Sequence, residues 1–255
     1  MWGDAGGPPD FLGVGAHLSG TVWWRGLLAK HPQISLRRTR HRRLDTYFEP
    51  FSTAAMTAGD IAGYHRRFRP RPGTVVGEWS DRYLYNPWML PLLARAAPDA
   101  KLLLLTRDPV ERFRTALGYR VGTGDPASDT VHMTEAFHRG RYASQLRALH
   151  RFFGPHRVLV LQYERCLREP REQYRRTLEF LGVDPAVLPS RIDAGPRERT
   201  LVGRLLRRPE PVDVTLWPDL QTSLQTVLTP EVTDLADLVP DLDLSLWPAF
   251  AHLAR

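Results

Sequence analysis

The sequence predicts an α/β protein built on a doubly wound parallel sheet. Segments with the pattern of strands alternate with segments of helical periodicity from residue 11 to residue 181. Most of the strand segments are continuous apolar runs, which are typical of strands buried on both faces of a parallel sheet. Because no internal repeat and no interdomain linker is evident, we expect a single domain over residues 1–255.

The first elements follow the order strand, loop, helix. Residues 11–15 predict a short buried strand, and the apolar segment 22–28 predicts a helix after a glycine-bearing loop. Residues 74–77 predict a second strand, and a helix is expected after Asn86-Pro87. This order is that of a parallel sheet with helical crossovers.

A third strand is predicted at 101–106, and it leads directly into a helix. Asp108 can cap that helix and Pro109 suits its first turn. The remaining predicted elements are a long helix at 135–153, a buried strand at 157–162, an amphipathic helix at 170–181 and a final helical part around 220–238.

Composition places the chain among ordinary globular proteins, with 42% hydrophobic and 25% charged residues. Its longest apolar runs, such as 102–105 and 158–161, are far shorter than the roughly 20 residues that span a bilayer, and no signal-peptide pattern is present. We therefore expect a soluble, cytoplasmic protein that does not bind membranes. The single cysteine, Cys166, excludes an internal disulfide and a clustered-cysteine metal site, and no metal is predicted.

The basic residues are almost all arginines, since only Lys30 and Lys101 are lysines among 35. The guanidinium group suits bidentate binding of phosphate or sulfate, so an anionic ligand is indicated. A solvated arginine-rich surface is the alternative interpretation. The arginines are dispersed and match no nucleic-acid-binding module, which argues against a nucleic acid as partner.

The loop from Gly15 to Thr21 is the first candidate site. Glycines allow the backbone to approach an anion, and the helix that follows presents its positive end. The spacing imitates a nucleotide-binding P-loop, but Thr21 and Val22 stand where that motif needs lysine and a magnesium-binding hydroxyl. ATP hydrolysis is therefore disfavoured, and a tight strand-to-helix turn remains the alternative.

Two further strand ends carry candidate residues. Arg107 follows the third predicted strand, and Thr115 lies on the adjoining helix, so that the two could hold one phosphate from two sides. Glu78 ends the second predicted strand and could act as a general base. A surface arginine, a solvated threonine and a surface carboxylate are the alternatives.

Taken together, four segments resemble the sulfotransferases that use 3′-phosphoadenosine 5′-phosphosulfate (PAPS), in particular the branch with the heparan-sulfate enzymes and many bacterial relatives. They cover most of the chain and occur in the order of that family. They are FLGVGAHLSGTVWWRGLLAKHP, GEWSDRYLY, KLLLLTRDPVERFRTAL, and the run from Gly140-Arg141-Tyr142 through VLVLQYERCLREPREQYRRTLEFLGVDP.

The resemblance implies a three-layer, P-loop-like α/β domain with a central parallel sheet flanked by helices. It also implies PAPS as the sulfuryl donor and adenosine 3′,5′-bisphosphate as its product. The implied nucleotide-binding residues are Ser19, Gly20 and Thr21 at the 5′-phosphate, Arg107 and Thr115 at the 3′-phosphate, and Arg197 and Arg199 in a late loop that closes over the nucleotide.

Three positions depart from the family pattern. Leu18 replaces the lysine or arginine that precedes the Ser-Gly-Thr positions, and Trp79 replaces a lysine after the glutamate of the second segment. An upstream lysine-glutamate pair is altered as well, with Asp45 in that region. Because the loop cation stabilises charge on the departing phosphate in the family, these changes affect the catalytic residues more than the binding residues.

The first hypothesis is sulfuryl transfer from PAPS to a hydroxyl of a small-molecule acceptor, such as a bacterial secondary metabolite. Glu78, Asp45 or His17 would accept the proton. The second hypothesis is an enzyme of this fold that catalyses a different reaction in the same cleft, since fold does not determine function. A non-catalytic protein that binds the nucleotide is the third.

Overall fold

The computed structural model describes residues 6–37, 47–121, 129–195 and 212–254. Within them the chain forms a five-stranded sheet in the order β2-β3-β1-β4-β5, in which every neighbouring pair is parallel. The strands are β1 Phe11–Gly15, β2 Ile34–Leu36, β3 Val75–Trp79, β4 Lys101–Thr106 and β5 Val158–Gln162.

Helices cover the two faces of the sheet. Within the described residues they are, in chain order, α1 Thr21–Leu28, α2 Ala58–His65, α3 Arg82–Tyr85, α4 Leu90–Ala96, α5 Pro109–Val121, α6 Asp129–His138, α7 Tyr142–Phe153, α8 Tyr163–Arg168, α9 Pro170–Leu181 and α10 Pro218–Leu238. In this part of the chain, no helix combines the length and the apolar character that crossing a membrane would require.

The sheet separates two hydrophobic cores, because successive side chains of a strand point to opposite faces. On β1, Leu12 and Val14 belong to a core that includes Leu146 of α7, whereas Phe11 belongs to a second core that includes Trp24 of α1. All five residues of β1 are buried. The prediction of a three-layer α/β fold with a central parallel sheet is thereby confirmed.

The order of the strands determines where a ligand can bind. The chain places β2 and β3 on one side of β1 and β4 and β5 on the other, so its direction of winding reverses at β1. Ligands of open parallel sheets bind beyond the carboxyl ends of the strands at such a reversal. In this chain, the loop of residues 16–20 occupies that place.

Asp108 caps α5 in the way the sequence predicts. Its Oδ1 accepts hydrogen bonds from the backbone N–H groups of Val110 at 2.9 Å and Glu111 at 3.3 Å, and its Oδ2 accepts one from Ala249 at 2.9 Å. The first turn of α5, which follows Arg107, is thus anchored to a distant part of the chain.

One long helix was predicted at 135–153, and this prediction is wrong. The structure has α6 and α7, with a turn that includes Gly140 between them. A Cβ at Gly140 would lie 3.2 Å from the Cβ of Pro109, so the turn passes close to the start of α5. Arg139, which lies at this break, borders the cleft described below.

Candidate functional site

A cleft of about 1210 Å³ lies beyond the carboxyl ends of the central strands. The 16–20 loop borders it with His17, Leu18 and Gly20, and helix α1 contributes Thr21 and Trp23. Helix α5 borders it with Thr115 and helix α6 with Glu135. The loop of residues 15–21 and the segment that contains Arg107 and Thr115, which both indicated an anion site in the sequence, therefore meet in one cavity.

Gly20 allows the loop to turn into α1 while its backbone packs against the ring of Tyr163. Its φ of +80° lies in the left-handed region, which glycine adopts without steric cost. A Cβ at this position would lie 2.4 Å from the ring of Tyr163. Among the described residues no side chain caps the N-terminus of α1, so the first N–H groups of this helix remain available at the edge of the cleft.

Behind the loop lies a group of buried polar side chains. Ser19 is completely buried, and neither its hydroxyl nor that of Tyr142 has a partner in good hydrogen-bond geometry among the described residues. Arg112 is also completely buried, and its Nε and Nη1 lack partners in good hydrogen-bond geometry among the described residues. Burial lowers the pKa of Arg112, and Arg139 and Arg107 lower it further, whereas Tyr142 raises it. Donors and positive charge are therefore concentrated beneath the loop.

Thr21 is held by the carboxylate of Asp81, a residue that the sequence patterns did not indicate. Its Oγ1 donates to Oδ2 of Asp81 at 3.2 Å, and the indole Nε1 of Trp79 donates to Oδ1 at 3.2 Å. Burial raises the pKa of Asp81, although these two donors oppose the shift. Asp81 borders the cleft. Its position just beyond the end of β3 was the signal that could have identified it.

Arg107 and Thr115 both border the cleft. Nη1 of Arg107 donates to the carbonyl oxygen of Leu18 at 3.1 Å, and its guanidinium carbon lies 5.3 Å from the ring centroid of Tyr163. The Thr115 hydroxyl donates to the carbonyl oxygen of Glu111 at 2.9 Å. The structure therefore brings Gly20, Thr21, Arg107 and Thr115 to one cavity, with Ser19 behind it.

Glu78, a predicted base, lies outside this group of residues. It is 1% exposed and is not among the described residues that border the cleft. Its Oε1 accepts hydrogen bonds from the hydroxyls of Tyr64 and Tyr83, each at 2.6 Å, and its Oε2 forms an ion pair with Nη1 of Arg37 at 3.2 Å. These contacts give Glu78 a structural role, and its assignment as a base stays a prediction.

His17 borders the cleft and is mostly enclosed. Burial lowers the pKa of its imidazole from 6.5 to about 4, with smaller contributions from the charges of Arg139 and Arg112. The imidazole is therefore neutral at pH 7. Its Nδ1 lies 3.4 Å from Nη1 of Arg139.

Asp45, Arg197 and Arg199 lie outside the described residues, so their predicted roles stay predictions. Arg191 and Gly195, which precede these two arginines in the predicted late loop, border the cleft.

Comparison with known proteins agrees with this geometry. Residues 9–186 match the family model described as "Sulfotransferase family". A sulfotransferase from Alicyclobacillus acidocaldarius has a similar structure, with 25% identity and a TM-score of 0.70, covering 94% of this chain and 98% of that one. The sulfotransferase domain of the Synechococcus PCC 7002 olefin synthase has 17% identity and a TM-score of 0.53, covering 91% of this chain and 98% of that one, and this likeness shows the fold alone.

The membrane-associated sulfotransferase kil1 of Dictyostelium discoideum is 34% identical over 109 residues, which are 41% of this chain. That match spans 21% of the length of kil1. The family model, in contrast, covers most of this chain, including β1 to β5 and the loop of residues 16–20. The chain belongs to the sulfotransferase family.

Proposed function

We propose that the protein transfers a sulfuryl group from PAPS to a hydroxyl of a small-molecule acceptor. The observation that carries this proposal is the anion cradle at the end of β1. It combines a helix N-terminus whose N-cap residue, Gly20, has no side chain, a positive φ at that glycine, and a completely buried Ser19 hydroxyl beside Tyr142. Such an arrangement of donors suits a phosphate or sulfate group.

The residues present fit the nucleotide. Ser19, Gly20 and Thr21 would hold its 5′-phosphate through the loop and the first turn of α1, and Arg107 and Thr115 would hold its 3′-phosphate. The buried Ser19 hydroxyl, which has no partner in good hydrogen-bond geometry among the described residues, and the buried Arg112 guanidinium support an anion at this place. We infer that Arg197 and Arg199, which the family resemblance assigns to a late loop over the nucleotide, would contribute further cations.

When bound, PAPS supplies the sulfuryl group: a bond forms from the acceptor oxygen to sulfur, the bond from sulfur to the 5′-phosphate oxygen breaks with its electrons remaining on that oxygen, and the acceptor proton passes to a base. Of the described residues that border the cleft, Asp81 and Glu135 carry carboxylates, which are candidate bases for this proton. Asp45, which lies outside the described residues, stays a predicted base.

The size of the cleft supports an acceptor beside the nucleotide. Its volume of about 1210 Å³ exceeds the range of roughly 300–1,000 Å³ that is usual for the pocket of a single ligand. Apolar groups of Trp23, Leu27 and Ala116 line part of it. A small organic alcohol would fit such a lining, and we propose a role in secondary metabolism on this basis.

Replacing Arg107 with alanine should weaken the binding of adenosine 3′,5′-bisphosphate by about 2 kcal/mol, or about 30-fold, because a charge-assisted contact is lost. Thr115→Ala should cost on the order of 1 kcal/mol, since it removes a neutral donor that already bonds to its own helix. Isothermal titration calorimetry measures both. Arg147→Ala, which removes an exposed arginine paired with Asp234, serves as the control. Equal affinities in all variants would remove both residues from the site.

Introducing a lysine at Leu18 should increase sulfuryl transfer several-fold, because it places a cation in the loop that faces the cleft. A well-placed donor can stabilise developing negative charge by about 2.7–4 kcal/mol, and an unoptimised lysine should deliver less. The φ of +66° at Leu18 costs lysine no more than leucine. Hydrolysis of PAPS and transfer to alcohols are the measurements. A folded variant that binds the bisphosphate without any gain would favour a different reaction in this cleft.

A further inference from the structure

The 16–20 loop carries no cationic side chain of its own, although it is the proposed site of an anion. The cations among the described residues that border the cleft are Lys30, Arg107, Arg120, Arg139 and Arg191. Two of these contact the loop. Arg107 bonds to the main-chain oxygen of Leu18, whereas Arg139 contacts the side chain of His17.

Arg139 is held in a defined orientation just after α6. Its Nη2 forms an ion pair with Glu135 at 2.6 Å, and its guanidinium carbon lies 4.2 Å from the ring centroid of Tyr85. Its Nε is buried without a hydrogen-bond partner among the described residues. The remaining group, Nη1, faces Nδ1 of His17 at 3.4 Å. A stacked and paired guanidinium of this kind keeps its direction, because few of its rotamers remain open.

This contact determines which nitrogen of His17 carries the proton. A guanidinium group has only donors, so Nδ1 must accept, and a neutral imidazole then carries its hydrogen on Nε2. Nε2 makes no hydrogen bond within the described part of the chain. The imidazole therefore offers a free N–H donor to the cleft that it borders.

We propose that His17 and Arg139 together replace the missing loop cation, with the Nε2–H of His17 donating to the anion and Arg139 fixing the imidazole in that tautomer. This inference rests on the proposed function. His17 acts on the oxygen that gains negative charge when the bond to sulfur breaks, and Arg139 is a positioning residue that also places a positive charge behind the ring. In this arrangement His17 does not accept the acceptor proton, because Nδ1 is engaged and Nε2 is already protonated.

The tautomer can be observed without any substrate. In the ligand-free protein labelled with ¹⁵N, the His17 resonances should show the Nε2–H form at pH 7. In Arg139→Met, which keeps the length of the side chain but removes its charge and donors, the imidazole should lose the single tautomer, and its pKa should rise from about 4 because a neighbouring cation is gone. An Nδ1–H form in the wild-type protein would overturn the proposal.

Kinetics test the same pair during turnover. We expect His17→Ala and Arg139→Met each to lower the rate constant of PAPS turnover by about 100-fold, the usual effect of losing one donor to a developing anion. The double variant should lose little more, because residues that act as a unit are not additive. His17→Gln, whose amide N–H₂ takes the place of Nε2–H, should retain more activity than His17→Asn, whose amide is too short. Losses that simply multiply in the double variant, or equal activity of the Gln and Asn variants, would contradict the proposal.

Controls separate this proposal from the proposed function. Arg147→Met removes an arginine that is paired with Asp234 away from the cleft, and it should leave turnover unchanged. Binding of adenosine 3′,5′-bisphosphate to the wild-type protein tests the proposed function alone. If the wild-type protein binds the nucleotide and turns over PAPS while Arg139→Met does so equally well, the pairing is wrong and the proposed function stands. If the wild-type protein binds no nucleotide, the proposed function fails.

Discussion

Replacing Glu78 with glutamine should lower the free energy of unfolding by about 3 kcal/mol, because one partner of a buried, hydrogen-bonded ion pair is removed. The carboxylate accepts from two tyrosine hydroxyls on one oxygen and from Arg37 on the other. A glutamine amide has one accepting oxygen, so it satisfies either the tyrosines or Arg37. Urea denaturation of the variant and the wild-type protein measures the difference.

Glu49→Gln is the matched control for this prediction. Glu49 pairs with Arg82, and both side chains are 35% exposed, so its loss should cost less than about 1 kcal/mol. An equal, small effect in both variants would show that the Glu78 contacts contribute little to the fold. If Glu78→Gln kept the wild-type free energy of unfolding but lost turnover by about 100-fold, Glu78 would instead be assigned to the proton transfer.

Replacing Gly20 with alanine should weaken the binding of adenosine 3′,5′-bisphosphate by about 30-fold or more. A left-handed backbone costs a residue with a Cβ roughly 1–2 kcal/mol, and overpacking against a rigid ring adds typically 1–3 kcal/mol. The added Cβ would lie 2.4 Å from the Tyr163 ring. Either the loop or the ring must move. A moved loop no longer presents its N–H groups to the anion, and a moved ring displaces Arg107, which stacks on it. Calorimetric titration measures the affinity.

Gly73→Ala separates the cost of the positive φ from the cost of the contact with Tyr163. Gly73 also has a positive φ, of +72°, but a Cβ there would meet no atom within 4 Å. This control should lose a little stability and keep the full affinity for the bisphosphate. If Gly20→Ala bound the bisphosphate as tightly as Gly73→Ala does, the loop could not be the site of the anion.

Local patterns in the sequence were sufficient to predict the architecture. The apolar runs of β1, β4 and β5 and the periodicity of α9 reflect burial of neighbouring residues in the same element, which a single segment reveals. The cap at Asp108 depends on residues one to three positions away, and the structure contains it. The three-residue strand β2 was not predicted, because so short a segment is stabilised by pairing with β3 rather than by its own pattern.

Part of the candidate site could also be predicted from local sequence patterns, and part could not. Patterns of glycine, hydroxyl and arginine at strand ends indicated Gly20, Thr21, Arg107 and Thr115, and these residues meet at one cleft.

Two carboxylates, those of Glu78 and Asp81, lie near the end of β3. Only tertiary structure determined that Asp81 borders the cleft and that Glu78 is not among the described residues that do. Glu78 is surrounded by Tyr64 and Tyr83, whereas Asp81 meets Thr21, which is 60 positions away in the chain. The pairing of His17 with Arg139 joins residues 122 positions apart. Burial, pKa and tautomer at this site all arise from such long-range contacts, and a linear pattern contains no information on which distant side chain will be the neighbour.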